Sequence, residues 1–288
     1  MNARTGTGRQ RSRLLRAIGG AGTLATVGAG IWIALLLVAL VGPHVYRVNP
    51  FAIVYKPRTP PFVSMAVPLG TDYLGRDILA GLVHGALVTL EVGVGAALFT
   101  VLIGVAVGAF AGFYGGRLET LLMRITEFFQ VLPPLLLAMV LILVLSPSTL
   151  TVIVAIGATS WPPIARVTRA EILSIKTRDF VTASRAVGAT DAHLIWRVIL
   201  PNVFPSIIVL STLLVGTAVL FQAALSFLGL TDQNVMSWGL MIGQSRDYIF
   251  STWWAVTMPG IMIILAVLGI GFLGEGLSDH ITQRGHQP

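Results

Sequence analysis

Residues able to carry covalent or acid–base chemistry are sparse in this chain and do not cluster. Its five histidines, His44, His84, His193, His280 and His286, are scattered along the sequence. The absence of cysteine removes disulfides, thiolate metal sites and thiol nucleophiles. Neither H-E-x-x-H nor G-x-S-x-G occurs, so the signatures of zinc proteases and serine hydrolases are missing. A phosphate-cradling loop needs a lysine directly after a glycine-rich turn, and the only lysines, Lys56 and Lys176, follow no such turn. The expectation is a chain with no catalytic residue, no metal and no cofactor of its own.

What remains is recognition, and the stretch that offers it is 180-FVTASRAVGATDAHLIWRVILPN-202, the longest charged and amphipathic run in the sequence. Phe180, Ala183 and Val187 recur at helical spacing, and Gly188 is the residue that most easily takes a left-handed stop. Thr190 or Asp191 can cap a second helix with Leu194, Ile195, Val198 and Ile199 on its apolar face, and Pro201 removes a backbone donor where the next apolar run begins. Taken alone, this is also how an amphipathic hairpin resting on a membrane surface would read.

The elements that must hold this stretch are apolar. With 55% hydrophobic and 11% charged residues the chain reads as an integral membrane protein, and its net charge of +7 is expected from cytoplasmic Lys and Arg, not from nucleic-acid binding. Residues 1–23 form a basic arm with Arg4, Arg9, Arg11, Arg13 and Arg16, expected to be flexible and cytoplasmic. Residues 24–288 form one transmembrane domain with spans predicted at about 24–42, 87–111, 117–145, 149–165, 203–228 and 254–274. The Pro-rich residues 43–86 are an extracytoplasmic loop in which Asp77 caps an interfacial helix carrying Ile78, Leu79 and Leu82, although an inert connector would fit as well. Residues 166–202, with Arg166, Arg169, Lys176, Arg178, Arg185 and Arg197, are a cytoplasmic loop, and both termini are predicted inside.

Within the spans, small residues at Ala96, Thr100, Gly104, Gly108 and Gly112 predict close helix packing. Glu91 falls near the outer end of the second predicted span, where its carboxylate reaches the headgroups or, as the alternative, meets the substrate. Arg124 and Glu127 sit one turn apart and neutralise each other, and Pro133-Pro134 bends the helix beyond them. A proton relay would need ionisable groups at several depths, and on this reading none stands at mid-depth. Ser211, Gln222 and Ser226 share about 60° of arc at 100° per residue, either as a polar stripe along a translocation path or as hydrogen bonds to a neighbouring helix.

The order of residue types in 182–201 resembles the cytoplasmic loop of ABC importer permeases: Glu-Ala-Ala, three residues, Gly, nine residues, Ile, one residue, Leu-Pro. Thr182-Ala183-Ser184 stands at the Glu-Ala-Ala place, Gly188 at the Gly, Val198 at the Ile, and Leu200-Pro201 at the Leu-Pro. Thr182, Ser184 and Val198 depart from the pattern, and Thr182 removes the family's acidic contact to the ATPase. Two further segments, 67-VPLGTDYLGRDILAGLVHGALVTL-90 and 226-SFLGLTDQNVMSWGLMI-242, are similar to the second permease subunit of dipeptide, oligopeptide and nickel importers. Pro68 matches a His-Pro of that segment, and Asp232 to Met236 replace a Pro-rich middle in the other.

The resemblance implies an all-α integral membrane protein of six transmembrane helices with a cytoplasmic coupling helix, the type I ABC importer permease fold. It implies a bacterial or archaeal cell membrane, a homologous second permease subunit, an extracytoplasmic solute-binding protein, and two ATP-binding subunits that hold ATP and Mg and dock on Phe180, Thr182, Ala183, Ser184, Val187, Gly188, Leu200 and Pro201. Cargo is read as a dipeptide or oligopeptide, with nickel or another small solute as the alternative. An ion-coupled carrier would be expected to have inverted repeats and buried ionisable groups, and a membrane enzyme a catalytic cluster.

Overall fold

In a computed structural model, the backbone is described over residues 6–284 and the side chains over residues 22–279. The described chain is helical, with only isolated bridges at Ile53–Arg76 and Thr71–Asp77. Four helical stretches are long and apolar enough to cross a membrane alone: Gly22–Val45, Ile78–Tyr114, Asp191–Phe227 and Trp254–Asp279. Two bent pairs complete the predicted six passes when each is counted as one.

The first helix, α1 (Gly6–Val45), extends back through most of the basic arm, whose arginine side chains lie outside the described residues. After it, residues 46–77 fold into a cap held by specific bonds. The Trp254 indole donates to Thr71 O (2.9 Å), Arg76 Nη1 to Gln244 Oε1 (3.0 Å), and the Tyr46 hydroxyl to Asp77. Burial, with help from that carboxylate, pushes the Tyr46 hydroxyl well above the usual phenol range, so it remains a donor.

Asp77 also accepts from Leu79 N (2.8 Å) and so caps α2 (Ile78–Tyr114), as expected. The interfacial helix predicted to precede the second span is absent: residues 78–114 form one continuous helix. No proline interrupts it, and Gly81 and Gly85 do not break it because they are packing positions, where added Cβ atoms would meet Met241 and Ser237–Trp238.

Proline chemistry decides the next four helices. α3 (Gly116–Val131) and α4 (Pro134–Leu145) meet at 89°, because Leu132 precedes a proline and is driven to extended backbone (φ −80, ψ 132). The predicted third span is thus a broken one. α3 is amphipathic, and Thr126 is its one buried residue. α5 (Thr149–Ser160) was expected to end a span at Trp161-Pro162-Pro163, but Pro162 and Pro163 open the amphipathic α6 (Pro162–Lys176), bent by 49° from α5.

α6 lies along α2 on the small-residue stripe. A Cβ at Gly108 would come within 2.4 Å of Ala165 O and 2.7 Å of Thr168 Cβ, and one at Gly104 within 2.6 Å of Ile164. Such approach is open only to glycine.

The short α7 (Asp179–Ala186) and α8 (Asp191–His193) lead through a π-helical turn, Leu194–Ile199, into α9 (Leu200–Phe227). Between the fifth and sixth predicted spans lies α10 (Trp238–Ser245), capped by Ser237 and seated by the fully buried Trp238, whose indole donates to Leu82 O (2.9 Å). The last helix, α11 (Trp254–Arg284), packs along α1, where the Trp32 indole donates to Ala266 O (2.9 Å).

Candidate coupling surface and translocation path

α7 ends as its residues demand. Gly188 has φ +89, Gly188 N donates to Arg185 O (3.0 Å), and Ala189 N reaches Ser184 O (3.1 Å), which together make a Schellman stop. Thr190 then caps α8 by accepting from His193 N (3.3 Å). The two short helices are tied by the half-exposed pair Arg185–Asp191 (4.0 Å).

What roots this unit was not legible as a helical face. Val181, 2% exposed, inserts among Phe113, Ile172, Leu194, Ile199 and Leu200. The π-helical turn makes this possible: its wider winding turns Leu194, Ile195, Ile199 and Leu200 all inward, whereas Val198 is only half-buried. Lys176 donates to Phe113 O, and the Arg185 guanidinium lies 5.9 Å from the Phe113 ring centre. α7 is therefore wedded through one apolar core to α2, α6 and α9.

Its other side is bare. Phe180, Thr182, Ala183, Val187 and Gly188 are exposed, with Val187 at 86%. Ser184 is half-buried, and its hydroxyl is used by Phe180 O (2.8 Å). Leu200 is buried at the root of the unit and Pro201 is exposed beside it. Of the predicted coupling residues, the structure brings Phe180 to Gly188 together as an outward surface and assigns Leu200 to its support.

Residues 104–286, which contain this whole unit, match the family described as binding-protein-dependent transport system inner membrane component. The chain belongs to that family. It is a membrane-spanning permease subunit of the ABC importer type. Over 217 residues it is 42% identical to the di/tripeptide transport system permease protein DppC of Pseudomonas aeruginosa, covering 75% of this chain and 72% of that one. Over 265 residues it is 38% identical to the dipeptide transport system permease protein DppC of Bacillus subtilis, covering 91% and 82%. In three dimensions it is similar to the inward-facing MetNI methionine ABC transporter (TM-score 0.58, 24% identity, 72% of this chain and 97% of that one), which fixes the permease fold.

In this permease Gln222 and Ser226 of α9 point inward, whereas Asn202 and Thr217 of the same helix are exposed. Gln222 and Ser226 are each 1% exposed and bonded to each other (Nε2 to Oγ, 2.9 Å), and Ser226 continues to Thr231 (2.9 Å) and Ser237 (3.2 Å). Ser211 is half-buried, its hydroxyl donating to Ile207 O (2.7 Å). The alternative to the path reading was a bond to a neighbouring helix, whereas these bonds run within α9 and to Thr231 and Ser237 of the loop that follows it. One group of this network is left over: Gln222 Oε1 is buried and has no donor among the described residues. Between α3 and α6, Arg124–Glu127 (3.2 Å) and Arg169–Glu119 (Nε to Oε1, 2.6 Å) are paired, and they border a cavity of about 490 Å³.

Proposed function

We propose that this permease passes dipeptides or oligopeptides inward across a bacterial or archaeal cell membrane, with both termini in the cytoplasm. On this reading a homologous second permease subunit completes the path, and an extracytoplasmic solute-binding protein delivers the cargo. Two separate ATP-binding subunits hold ATP and Mg and dock on α7. The peptide names of the relatives support the cargo.

The observation that carries the coupling is the two-sidedness of α7. An exposed helix offers little without a rigid root, and a rooted helix offers little without a free face. α7 has both, so a push on Phe180 and Val187 is delivered through Val181 to α2, α6 and α9 together. Close packing makes that core transmit displacement instead of absorbing it.

The test is reconstitution with the cognate partner chains in liposomes. Labelled dipeptide is expected to accumulate only with ATP at the cytoplasmic face, and this chain alone is expected neither to bind nor to hydrolyse ATP, for want of a phosphate loop. Uptake driven by an ion gradient without ATP, or stoichiometric nucleotide binding by the isolated chain, would contradict the proposal.

A further inference from the structure

Glu91 is the only Asp, Glu, Lys or Arg in α2, and the start of that helix at Ile78 leaves it well inside the helix. Because α2 begins at Ile78, Glu91 stands about 20 Å along the helix at 1.5 Å per residue. Two contacts set its level. Gly42, near the outer end of α1, meets Val83, and Gly104 meets Trp161 at the inner bend of α5 and α6. Glu91 is then about 12 Å inward of the first contact and about 20 Å outward of the second, within the apolar depth of about 30 Å.

Its face of the helix is largely uncovered and, apart from the half-buried His84 two turns toward Ile78, whose Nε2 lies 3.1 Å from Tyr46 O, apolar. Leu87, Leu98 and Leu102 are 41%, 60% and 68% exposed, and Glu91 is exposed among them with no hydrogen bond or ion pair within the described residues. A carboxylate held against lipid tails at that depth is strongly disfavoured, so this face borders water or a partner group. A second observation identifies what is missing. On the adjoining face, Val88 and Val92 line a small cavity with Gln222 and Ser237, and Gln222 Oε1 is one of the buried oxygens without a partner among the described residues, the others being Ser160 Oγ and Thr168 Oγ1. One depth of the chain thus holds two unsatisfied acceptors, one of them anionic. Their complement is a cationic donor that also carries N–H groups.

We infer that Glu91 receives the α-ammonium group of a peptide in transit, with Gln222 Oε1 in reserve as an acceptor for its backbone N–H. This rests on the peptide reading above. The ammonium is the one cation that every dipeptide and oligopeptide with a free amino terminus carries, so a single carboxylate serves cargo of any side chain. The contact is charge-assisted, and an exposed, singly bonded carboxylate can release what it holds.

The chain has no cysteine, so Glu91→Cys gives this subunit a unique thiol for tests in the assembled complex with dipeptide as cargo. Loss of the charge is expected to lower dipeptide uptake about tenfold, while the loaded solute-binding protein still stimulates ATP hydrolysis. The thiol is expected to react with water-soluble methanethiosulfonates, more slowly when dipeptide is present. A sulfonate-bearing adduct should restore uptake and a trimethylammonium-bearing adduct should not. A thiol that stays unreactive in the complex would mean that a basic residue of the partner subunit, or lipid, covers the face, and would overturn the inference. So would equal effects of the two adducts, or wild-type uptake by the variant. Absence of dipeptide uptake by the wild-type complex would instead defeat the peptide reading itself.

Discussion

Gly188→Val is expected to lower transport about tenfold or more while leaving the subunit in the membrane. With φ at +89, the stop of α7 uses a conformation that costs an ordinary L-residue about 1–2 kcal/mol and a β-branched one more. The space around Gly188 is empty: an added Cβ meets nothing within 4 Å. Any effect therefore comes from the backbone and not from a clash. Relaxing the strain unwinds the Schellman stop and turns Phe180, Ala183 and Val187 away from the surface they share. Dipeptide uptake and substrate-stimulated ATP hydrolysis should fall together by about tenfold or more, since 1.4 kcal/mol of misalignment corresponds to tenfold. Gly188→Asn, which tolerates the left-handed region, should retain most of both activities. Rates from reconstituted complexes at equal subunit content decide it, and wild-type rates in the valine variant would remove α7 from the mechanism.

The second large effect is expected at Gly108, for the opposite reason. There the backbone is ordinary helix and the space is gone, because a Cβ would stand 2.4 Å from Ala165 O. A carbonyl oxygen fixed in α6 cannot rotate aside as a side chain would. Gly108→Val should force α6 off α2 at a cost of about 3 kcal/mol or more, and lower the unfolding temperature in detergent by about 5–10 °C. Gly30→Ala is the matched control. Gly30 also lies inside a membrane helix, with nothing within 4 Å of its added Cβ, and alanine there should be neutral or slightly stabilising. Equal melting of Gly108→Val and wild-type protein would show that the stripe does not set the α2–α6 contact.

These two glycines mark what could be read from residues alone. Gly188 and the small stripe were legible because each demand is local: a helix stop needs a left-handed residue, and a close helix crossing needs small ones. Asp77 was legible as a cap for the same reason, and Thr190 as one of two candidates beside Asp191. The limits of the broken spans were not. A proline pair announces a bend, but whether the chain resumes as membrane span or as amphipathic helix depends on packing, and at Pro162 packing against α2 made α6. The root of α7 was hidden because Val181 falls off the periodic face of Phe180, Ala183 and Val187. Its partners come from α2, α6 and α9, and the π-helical turn that aims Leu194 and Ile199 toward it has no signal in side-chain periodicity. Glu91 was read at the outer end of its span because the start of α2 was set at the first long apolar run, whereas the helix begins at the Asp77 cap.

The central claim, that the outward face of α7 is where ATP-binding subunits push, is tested most directly by a cysteine at Val187, which is 86% exposed in this chain. In the isolated permease in sealed vesicles, Val187→Cys should be modified by a membrane-impermeant maleimide from the cytoplasmic side only. Adding the ATP-binding subunits should protect it. Equal modification with and without those subunits, or modification from the extracytoplasmic side, would contradict the account.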